Sequence, residues 1–155
     1  MTAGNVWIYR RRVMWGECDP AGIVYTPRFA DYVAAAHLAF FEHVFSAPSY
    51  TVLEPLQLAL PAKAIAIEFK RSLRPNDWFE VHICVGEIRN RTYDLNMAAH
   101  GDNGAELFVA QLTLICVDRA TNKAVPLPQF VRAALVEFHG DLASAKIVAQ
   151  EPTSP

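Results

Sequence analysis

Asp19 is the residue of this sequence whose surroundings best suit a chemical role. The chain before it alternates like a strand, and a long helical pattern begins a few residues after it. Pro20 disfavours helical backbone at Asp19, and Gly22 adopts a positive φ readily, so the segment should form a tight loop. This arrangement would place a carboxylate beside the first N–H groups of a helix, which lack partners within the helix.

A carboxylate beside a helix N-terminus suits acyl transfer. The carboxylate can attack a carbonyl carbon or activate water, while the N–H groups and the helix dipole stabilise charge that develops on the carbonyl oxygen. The run Asp-Pro-Ala-Gly is also typical of a simple turn, in which Asp19 would only begin the turn. The residues by themselves leave both interpretations open.

Other kinds of site find little support in the sequence. His37 and His43 are six residues apart, which places them on different faces of a helix, and no metal-ligand spacing is present. There is neither a nucleophile elbow nor a glycine-rich phosphate loop. Cys18 has no assignable histidine partner and is expected to be structural. We therefore predict no metal site and no cofactor.

The helix that must position Asp19 is predicted from Pro27 to Phe45. Thr26 is the expected N-cap, and Pro27 suits the first helical position because its missing N–H is not needed there. Apolar side chains recur at spacings of three and four and define a buried stripe, at Phe29, Val33, Ala36, Phe40 and Val44.

The remaining chain predicts an antiparallel sheet. A strand is expected at residues 6–17, with Tyr9, Val13 and Trp15 on one face, and four more at 64–73, 78–88, 92–100 and 106–117. Turn residues separate these strands, and a short helix is expected at 128–138. An antiparallel sheet needs an apolar cover on one face, and the long helix is the element large enough. We therefore predict an α+β fold with one domain, in which the sheet wraps around a long central helix.

Composition sets the broad class. The chain has 155 residues, 52% apolar and 19% charged, with a net charge of −2, as expected for one globular domain that binds no nucleic acid. No apolar run approaches the roughly 20 residues of a membrane span. No apolar stretch of the kind found in signal peptides follows the three arginines near the start, so a signal peptide is not expected. Three scattered cysteines favour a reduced, cytoplasmic protein. The domain is expected at residues 1–140, with a flexible tail at 141–155.

A family resemblance is carried by residues 15–25, which read WGECDPAGIVY. This run, followed by Pro27 and Phe29, resembles the opening of the 4-hydroxybenzoyl-CoA thioesterase family, acyl-CoA thioesterases with the hotdog fold. The resemblance implies that Asp19 acts as nucleophile or general base. It also implies that backbone N–H groups near Tyr25 and Thr26 polarise the thioester carbonyl, with Gly22 and Ile23 in the substrate site.

The resemblance extends to two further places. Arg89 and Arg91 match a basic hairpin that holds the nucleotide phosphates of CoA. The family's 4-hydroxybenzoyl enzyme has a second carboxylate fifteen residues after the catalytic aspartate, where this chain has Ala34. A less polar aryl or aliphatic acyl group is therefore expected, with His37 as a further residue facing that space.

We therefore predict an acyl-CoA thioesterase that releases a free acid and CoA, the CoA entering as part of the substrate. The family also implies a homo-oligomer, a dimer or a tetrameric dimer of dimers, with active sites between subunits. Two alternatives stay open: a non-catalytic hotdog subunit that binds acyl-CoA, and a hydratase or dehydratase acting on an acyl thioester.

Overall fold

The computed structural model describes residues 4–139 and contains a five-stranded antiparallel sheet. Its strand order is β1-β4-β5-β6-β3. The strands are β1 (Trp7–Arg12), β3 (Ala62–Phe69), β4 (Trp78–Ile88), β5 (Thr92–Gly101) and β6 (Glu106–Ile115). A separate two-stranded pair joins β2 (Leu58–Ala59) to β7 (Val117–Asp118).

One face of the sheet forms the hydrophobic core. On β5, Leu95 and Met97 point to this face, and they pair with Val85 and Ile83 of β4. The period of two in the sequence produces this face because successive side chains of a strand point to opposite sides. The same alternation places Asp94, and every second residue of β5 counted from it, on the outer face of the sheet.

The long helix α1 spans Arg28–Phe45 and packs on the core face of the sheet. Phe29 meets Phe108 of β6 with ring centroids 5.4 Å apart, and Tyr32 meets Phe79 of β4 at 5.1 Å. These contacts are the edge and tilted geometries that aromatic pairs favour. The predicted helix is therefore confirmed to within one residue at its start.

The predicted N-cap of α1 is wrong by one residue. Pro27 occupies the cap position, and no side chain caps the helix. The chain already turns before the helix begins, because the N–H groups of Arg28 and Phe29 donate to the carbonyl oxygens of Tyr25 and Thr26. Thr26 is consequently part of this turn and not the cap.

The first strand is shorter than predicted. β1 ends at Arg12, and Val13 then exchanges backbone hydrogen bonds with Asp77 and Asn76. A 3₁₀ turn at Trp15–Glu17 follows. Trp15 lies in this turn and is 72% exposed, so its predicted place on a strand face with Tyr9 and Val13 is wrong, because the chain leaves the sheet before reaching it.

The other elements lie close to their predicted positions. The strand at 78–88 is confirmed, and the others differ from prediction by a few residues at their ends. The proline-containing loop after α1 contains a short helix α2 (Ser49–Leu53) and a 3₁₀ turn (Glu54–Leu56), and α3 spans Gln129–His139. The predicted tail at 141–155 lies outside the described residues. Within residues 4–139, no helix is long and apolar enough to span a membrane.

Candidate functional site

Asp19 lies in a small closed loop between the 3₁₀ turn and α1. The Asp19 N–H donates to Ile23 O at 2.9 Å, and the Gly22 N–H donates to Asp19 O at 2.9 Å. Gly22 has φ of 79°, a conformation that glycine adopts at little cost, which explains the glycine here. Cys18 and Val24 form an isolated antiparallel bridge that closes the base of the loop.

The loop fixes one oxygen of the Asp19 carboxylate and leaves the other open. Oδ1 accepts a hydrogen bond from the Ala21 N–H at 2.8 Å, the geometry of an Asx turn. Oδ2 has no hydrogen-bond partner among the residues that the structure describes. Asp19 therefore begins a turn, as one sequence interpretation held, and still presents an oxygen that can accept a proton or attack a carbon.

The two N–H groups predicted to polarise a carbonyl differ in their availability. The Tyr25 N–H donates to Glu17 O at 2.9 Å and is therefore occupied. The Thr26 N–H has no acceptor within the described part of the chain, and Pro27 has no N–H to offer. Thr26 thus supplies the donor that stays open at the start of α1.

A cleft of about 280 Å³ opens beside the loop and the start of α1. Ile23, Thr26 and Phe29 form one wall. The opposite wall is the segment that follows β3, from Phe69 to Ser72, and it includes two cationic side chains. The hydrogen bond from Val24 N–H to Leu73 O, at 2.8 Å, ties the two walls together.

A second carboxylate, Glu17, lies behind the loop and was not predicted as a site residue. Its side chain is only 13% exposed and accepts hydrogen bonds from the Tyr32 hydroxyl at 2.7 Å and the Met14 N–H at 2.8 Å. It also forms an ion pair with Arg11. Burial raises the pKa of Glu17, but these donors outweigh burial and hold the pKa below its usual value. The sequence signal was its place three residues after Met14, where a carboxylate can cap a turn.

Ala34 and His37 lie in different environments. Ala34 is exposed, whereas His37 is 7% exposed, with its Nε2 3.4 Å from the hydroxyl of Tyr93 on β5. Burial lowers the pKa of His37 to about 4, so the ring is neutral at pH 7. His37 is therefore a buried residue of the helix–sheet interface, and the expectation that it faces the same space as Ala34 is wrong.

The predicted phosphate-binding arginines lie on the β4–β5 hairpin and differ from one another. Arg89 donates to both oxygens of Asp94, at 3.0 and 2.6 Å, and to Glu87 at 3.0 Å. Arg132 of α3 reinforces the hairpin by donating to Arg89 O at 2.7 Å. Arg91 is exposed and has no ion pair within the described residues, so its guanidinium is the more available of the two.

This hairpin is far from Asp19 within one chain. The Asp19 loop lies at the Trp78 end of β4, where Val13 contacts Asp77, and the hairpin follows Ile88 at the other end. The strand has 11 residues, which corresponds to about 33 Å.

Among residues 4–139, no three histidine, cysteine, aspartate or glutamate side chains are grouped so that they could hold a metal ion.

The comparisons with known proteins agree with this architecture. A family model described as the thioesterase-like superfamily matches residues 13–135. The chain belongs to this superfamily. The resemblance seen in residues 15–25 is thereby confirmed, as is the prediction that the protein is a thioester hydrolase.

Individual relatives match this chain over most of its length. The acyl-CoA thioesterase YbgC of Haemophilus influenzae is 28% identical over 135 residues, which cover 87% of this chain and 96% of the relative. The structure of a 1,4-dihydroxy-2-naphthoyl-CoA thioesterase from Synechocystis has a TM-score of 0.77 at 21% identity, covering 85% of this chain and 96% of that one. A 4-hydroxybenzoyl-CoA thioesterase mutant with 4-hydroxybenzoyl-CoA has a TM-score of 0.77 at 17% identity, covering 84% and 99%. These structures confirm the hotdog fold class with its antiparallel sheet.

Proposed function

We propose that this protein hydrolyses an acyl-CoA thioester to a free acid and CoA, with Asp19 as nucleophile or general base. The observation that carries the proposal is the open Oδ2 of Asp19 in a loop that leads directly to the open N–H of Thr26. A carboxylate and an oxyanion donor are the two groups that thioester hydrolysis requires. Membership of the thioesterase-like superfamily supports the assignment.

Two routes fit these groups. In the general-base route, Asp19 accepts a proton from a water molecule while the oxygen of that water attacks the carbonyl carbon. The thioester C–S bond then breaks and releases CoA thiolate. In the nucleophilic route, Asp19 itself attacks, CoA thiolate leaves, and water hydrolyses the resulting anhydride. In both, the Thr26 N–H stabilises the carbonyl oxygen as negative charge develops on it. Neither route requires a metal or cofactor, and CoA arrives with the substrate.

The acyl group is proposed to be a less polar aryl or aliphatic group. Ala34 is exposed on α1 and offers no hydrogen bond to a ring hydroxyl. The neighbouring buried stripe of α1 is aromatic and aliphatic, and the sheet is proposed to curl around this helix.

A homodimer, alone or as half of a tetramer, is proposed to complete the site. β3 is an eight-residue edge strand with Ile65 45% and Phe69 50% exposed, and Leu38 of α1 is 52% exposed. A long, exposed, apolar edge favours pairing with a second copy. The hairpin of Arg89 and Arg91 lies about 33 Å along β4 from the Asp19 loop. This distance favours a hairpin that contacts the substrate held by a second copy. We place this enzyme in the cytoplasm because its three cysteines are free.

The hydratase alternative has less support. That chemistry needs a histidine close to the carboxylate, and His37 lies nine residues into α1, about 13 Å along the helix axis, bonded to Tyr93. A non-catalytic acyl-CoA-binding subunit would not need the open oxygen of Asp19.

The test is release of free CoA from a panel of aryl, phenylacetyl and short to long aliphatic CoA esters. We expect one ester class to turn over and Asp19→Asn to lower kcat by roughly 10²-fold or more, the size expected for a lost base or nucleophile. Tight binding of an ester without turnover by the wild type would instead identify a binding subunit. Detection by absorbance of the thioester avoids background from the three cysteines.

A further inference from the structure

Glu17 joins three separate elements behind the Asp19 loop. Its carboxylate contacts Arg11 of β1 and accepts the Tyr32 hydroxyl of α1 at 2.7 Å, while it caps its own 3₁₀ turn through the Met14 N–H at 2.8 Å. The three partners belong to β1, to α1 and to the backbone at the start of the 3₁₀ turn. The position of this carboxylate is therefore fixed by the core of the protein and not by the surface loop.

The backbone of the same residue holds both halves of the proposed catalytic apparatus. Glu17 O accepts the Tyr25 N–H at 2.9 Å, so Tyr25, the residue before Thr26, is anchored to Glu17. Asp19 follows Glu17 by two residues, and the bridge between Cys18 and Val24 lies between these anchors. We therefore expect a displacement of Glu17 relative to Tyr25 to change the separation between the Asp19 carboxylate and the Thr26 N–H.

The charge of Glu17 is balanced where it is held. The Arg11 guanidinium lies 4.8 Å from the centre of the Tyr32 ring and pairs with Glu17 from that side. Removing water from a carboxylate is costly unless it is paired and hydrogen-bonded, and Glu17 has both kinds of partner. The cluster thus makes a rigid support out of a residue type that is usually solvated.

We propose that Glu17 is a positioning residue, held by Tyr32 and Arg11, that fixes the Asp19 carboxylate and the Thr26 N–H relative to each other. This inference rests on the proposed thioesterase function. Misplacing a reacting group by about 1 Å can cost roughly 10²-fold in rate, so a residue that does not touch the substrate can control kcat. Glu17 supplies no proton and no bond to the reaction.

The first test compares Tyr32→Phe and Glu17→Gln with the wild type on the ester that turns over. Tyr32→Phe removes one hydrogen bond and no volume from the core, and we expect kcat to fall about ten-fold, the scale of one net hydrogen bond, with KM changed by less than about two-fold. Glu17→Gln removes the negative charge that pairs with Arg11 and one of the two oxygens that accept hydrogen bonds, and it should lower kcat by roughly 10²-fold. A control variant, Leu135→Val in the buried face of α3, should lower the melting temperature without lowering kcat.

The second test is independent of turnover. Amide hydrogen exchange measured by NMR reports the Tyr25 and Gly22 N–H groups, whose hydrogen bonds close the loop. We expect faster exchange at both in Tyr32→Phe, and no change there in Leu135→Val. If Tyr32→Phe keeps the exchange rates of the wild type, Glu17 does not position the loop and the inference is overturned.

The two ideas fail in different ways. If the wild type hydrolyses no ester, the proposed function fails, while the exchange measurement still decides whether Glu17 holds the loop. If the wild type is active and Tyr32→Phe has the wild-type kcat, the positioning role is overturned and the thioesterase assignment stands. The positioning role is also overturned if Leu135→Val loses as much kcat as Tyr32→Phe when both variants lose the same amount of melting temperature. General destabilisation would then be the cause of the lower kcat.

Discussion

The guanidinium of Arg89 donates to both carboxylate oxygens of Asp94, at 3.0 and 2.6 Å, across the β4–β5 hairpin. Thr113 of β6 donates to the same carboxylate at 2.7 Å, so Asp94 is satisfied although it is only 6% exposed. Hydrogen bonds and charge from Asp94, and then from Glu87, hold the pKa of Arg89 above its usual value, although burial acts to lower it. Arg89 therefore has a structural role in the hairpin whether or not it also binds substrate.

This pairing separates the roles of the two hairpin arginines. Arg89→Ala should lower the free energy of unfolding by about 1–3 kcal/mol, because it leaves a buried carboxylate with fewer donors. Arg91→Ala should leave stability unchanged and raise KM for the CoA ester by roughly ten-fold, as expected for a lost charged contact to phosphate. Urea unfolding and steady-state kinetics on both variants check this. An Arg91→Ala enzyme with the wild-type KM would remove Arg91 from the substrate site.

Ala34 provides a test of where the acyl group lies. Ala34→Glu places a carboxylate on α1 at the position where the resembling 4-hydroxybenzoyl enzyme has one. We expect kcat/KM for 4-hydroxybenzoyl-CoA to rise by about ten-fold relative to benzoyl-CoA, the scale of one charged hydrogen bond. The ratio of the two esters is measured for both proteins. An unchanged ratio would show that the acyl ring does not lie against residue 34.

His37 predicts a pH dependence of stability. Burial lowers its pKa to about 4 in the folded protein, whereas the unfolded chain has the usual value of about 6.5. The unfolded state therefore binds a proton first, and the stability from a neutral His37 is complete above pH 6.5 and is lost as pH falls towards 4. The loss is about 3 kcal/mol, taking 1.36 kcal/mol for each unit of pKa.

The measurement compares the wild type with His37→Gln by urea unfolding between pH 7 and pH 4. The difference in unfolding free energy between the two proteins should shrink by about 3 kcal/mol over this range. His139, whose pKa burial also lowers to about 4, is present in both proteins and cancels. A constant difference would mean that His37 becomes charged in the folded protein without cost.

The exposed edge of β3 predicts an effect on assembly. Ile65→Glu should leave the folded subunit intact, since Ile65 is 45% exposed, but should disfavour pairing of β3 with a second copy. Light scattering should then report a subunit mass, and the thioesterase rate should fall if a second copy completes the site as proposed. Val136→Glu, at an apolar position on α3 that is 36% exposed, is the control and should retain both the oligomer mass and the thioesterase rate. A dimer that survives Ile65→Glu would place the interface elsewhere.

Sequence patterns predicted the elements whose periodicity is local. The strand at Trp78–Ile88 was located because a turn at 74–77 precedes it and its residues alternate between apolar and polar from Phe79 to Ile83. The helix was predicted within one residue because the apolar stripe is continuous up to Phe45. The loop of Asp19 followed from proline and glycine at fixed offsets.

The errors arise where long-range contacts override a local pattern. Trp15 continues the alternation of β1, but Glu17 caps a turn at Met14 that takes the chain off the sheet. His37 falls on the buried stripe of α1, and only the position of Tyr93 on β5 decides that it lies in the core. The Glu17 cluster joins Arg11 to Tyr32, 21 positions away, and the spacing of Glu17 from Met14 marks only the cap of the turn and not these two partners.

The chemical role of Asp19 can also be examined in one turnover. With enzyme in excess over substrate in ¹⁸O-labelled water, a nucleophilic Asp19 whose anhydride is opened by water at the Asp19 carbonyl carbon gives one of its own unlabelled oxygens to the acid and becomes labelled itself. A general base leaves Asp19 unlabelled and the acid labelled at once. Mass spectrometry of the peptide that contains Asp19 distinguishes the two routes.

The most direct test of the whole account is the kcat of Asp19→Asn beside that of Asp102→Asn, measured on the ester that the wild type hydrolyses. Asp102 is an exposed carboxylate in the β5–β6 turn, so its substitution makes the same chemical change outside the Asp19 loop. We predict that Asp19→Asn lowers kcat by roughly 10²-fold or more, with an unchanged melting temperature, and that Asp102→Asn retains the wild-type rate. An Asp19→Asn protein as active as the wild type would contradict the assignment of Asp19 as the group that performs the hydrolysis.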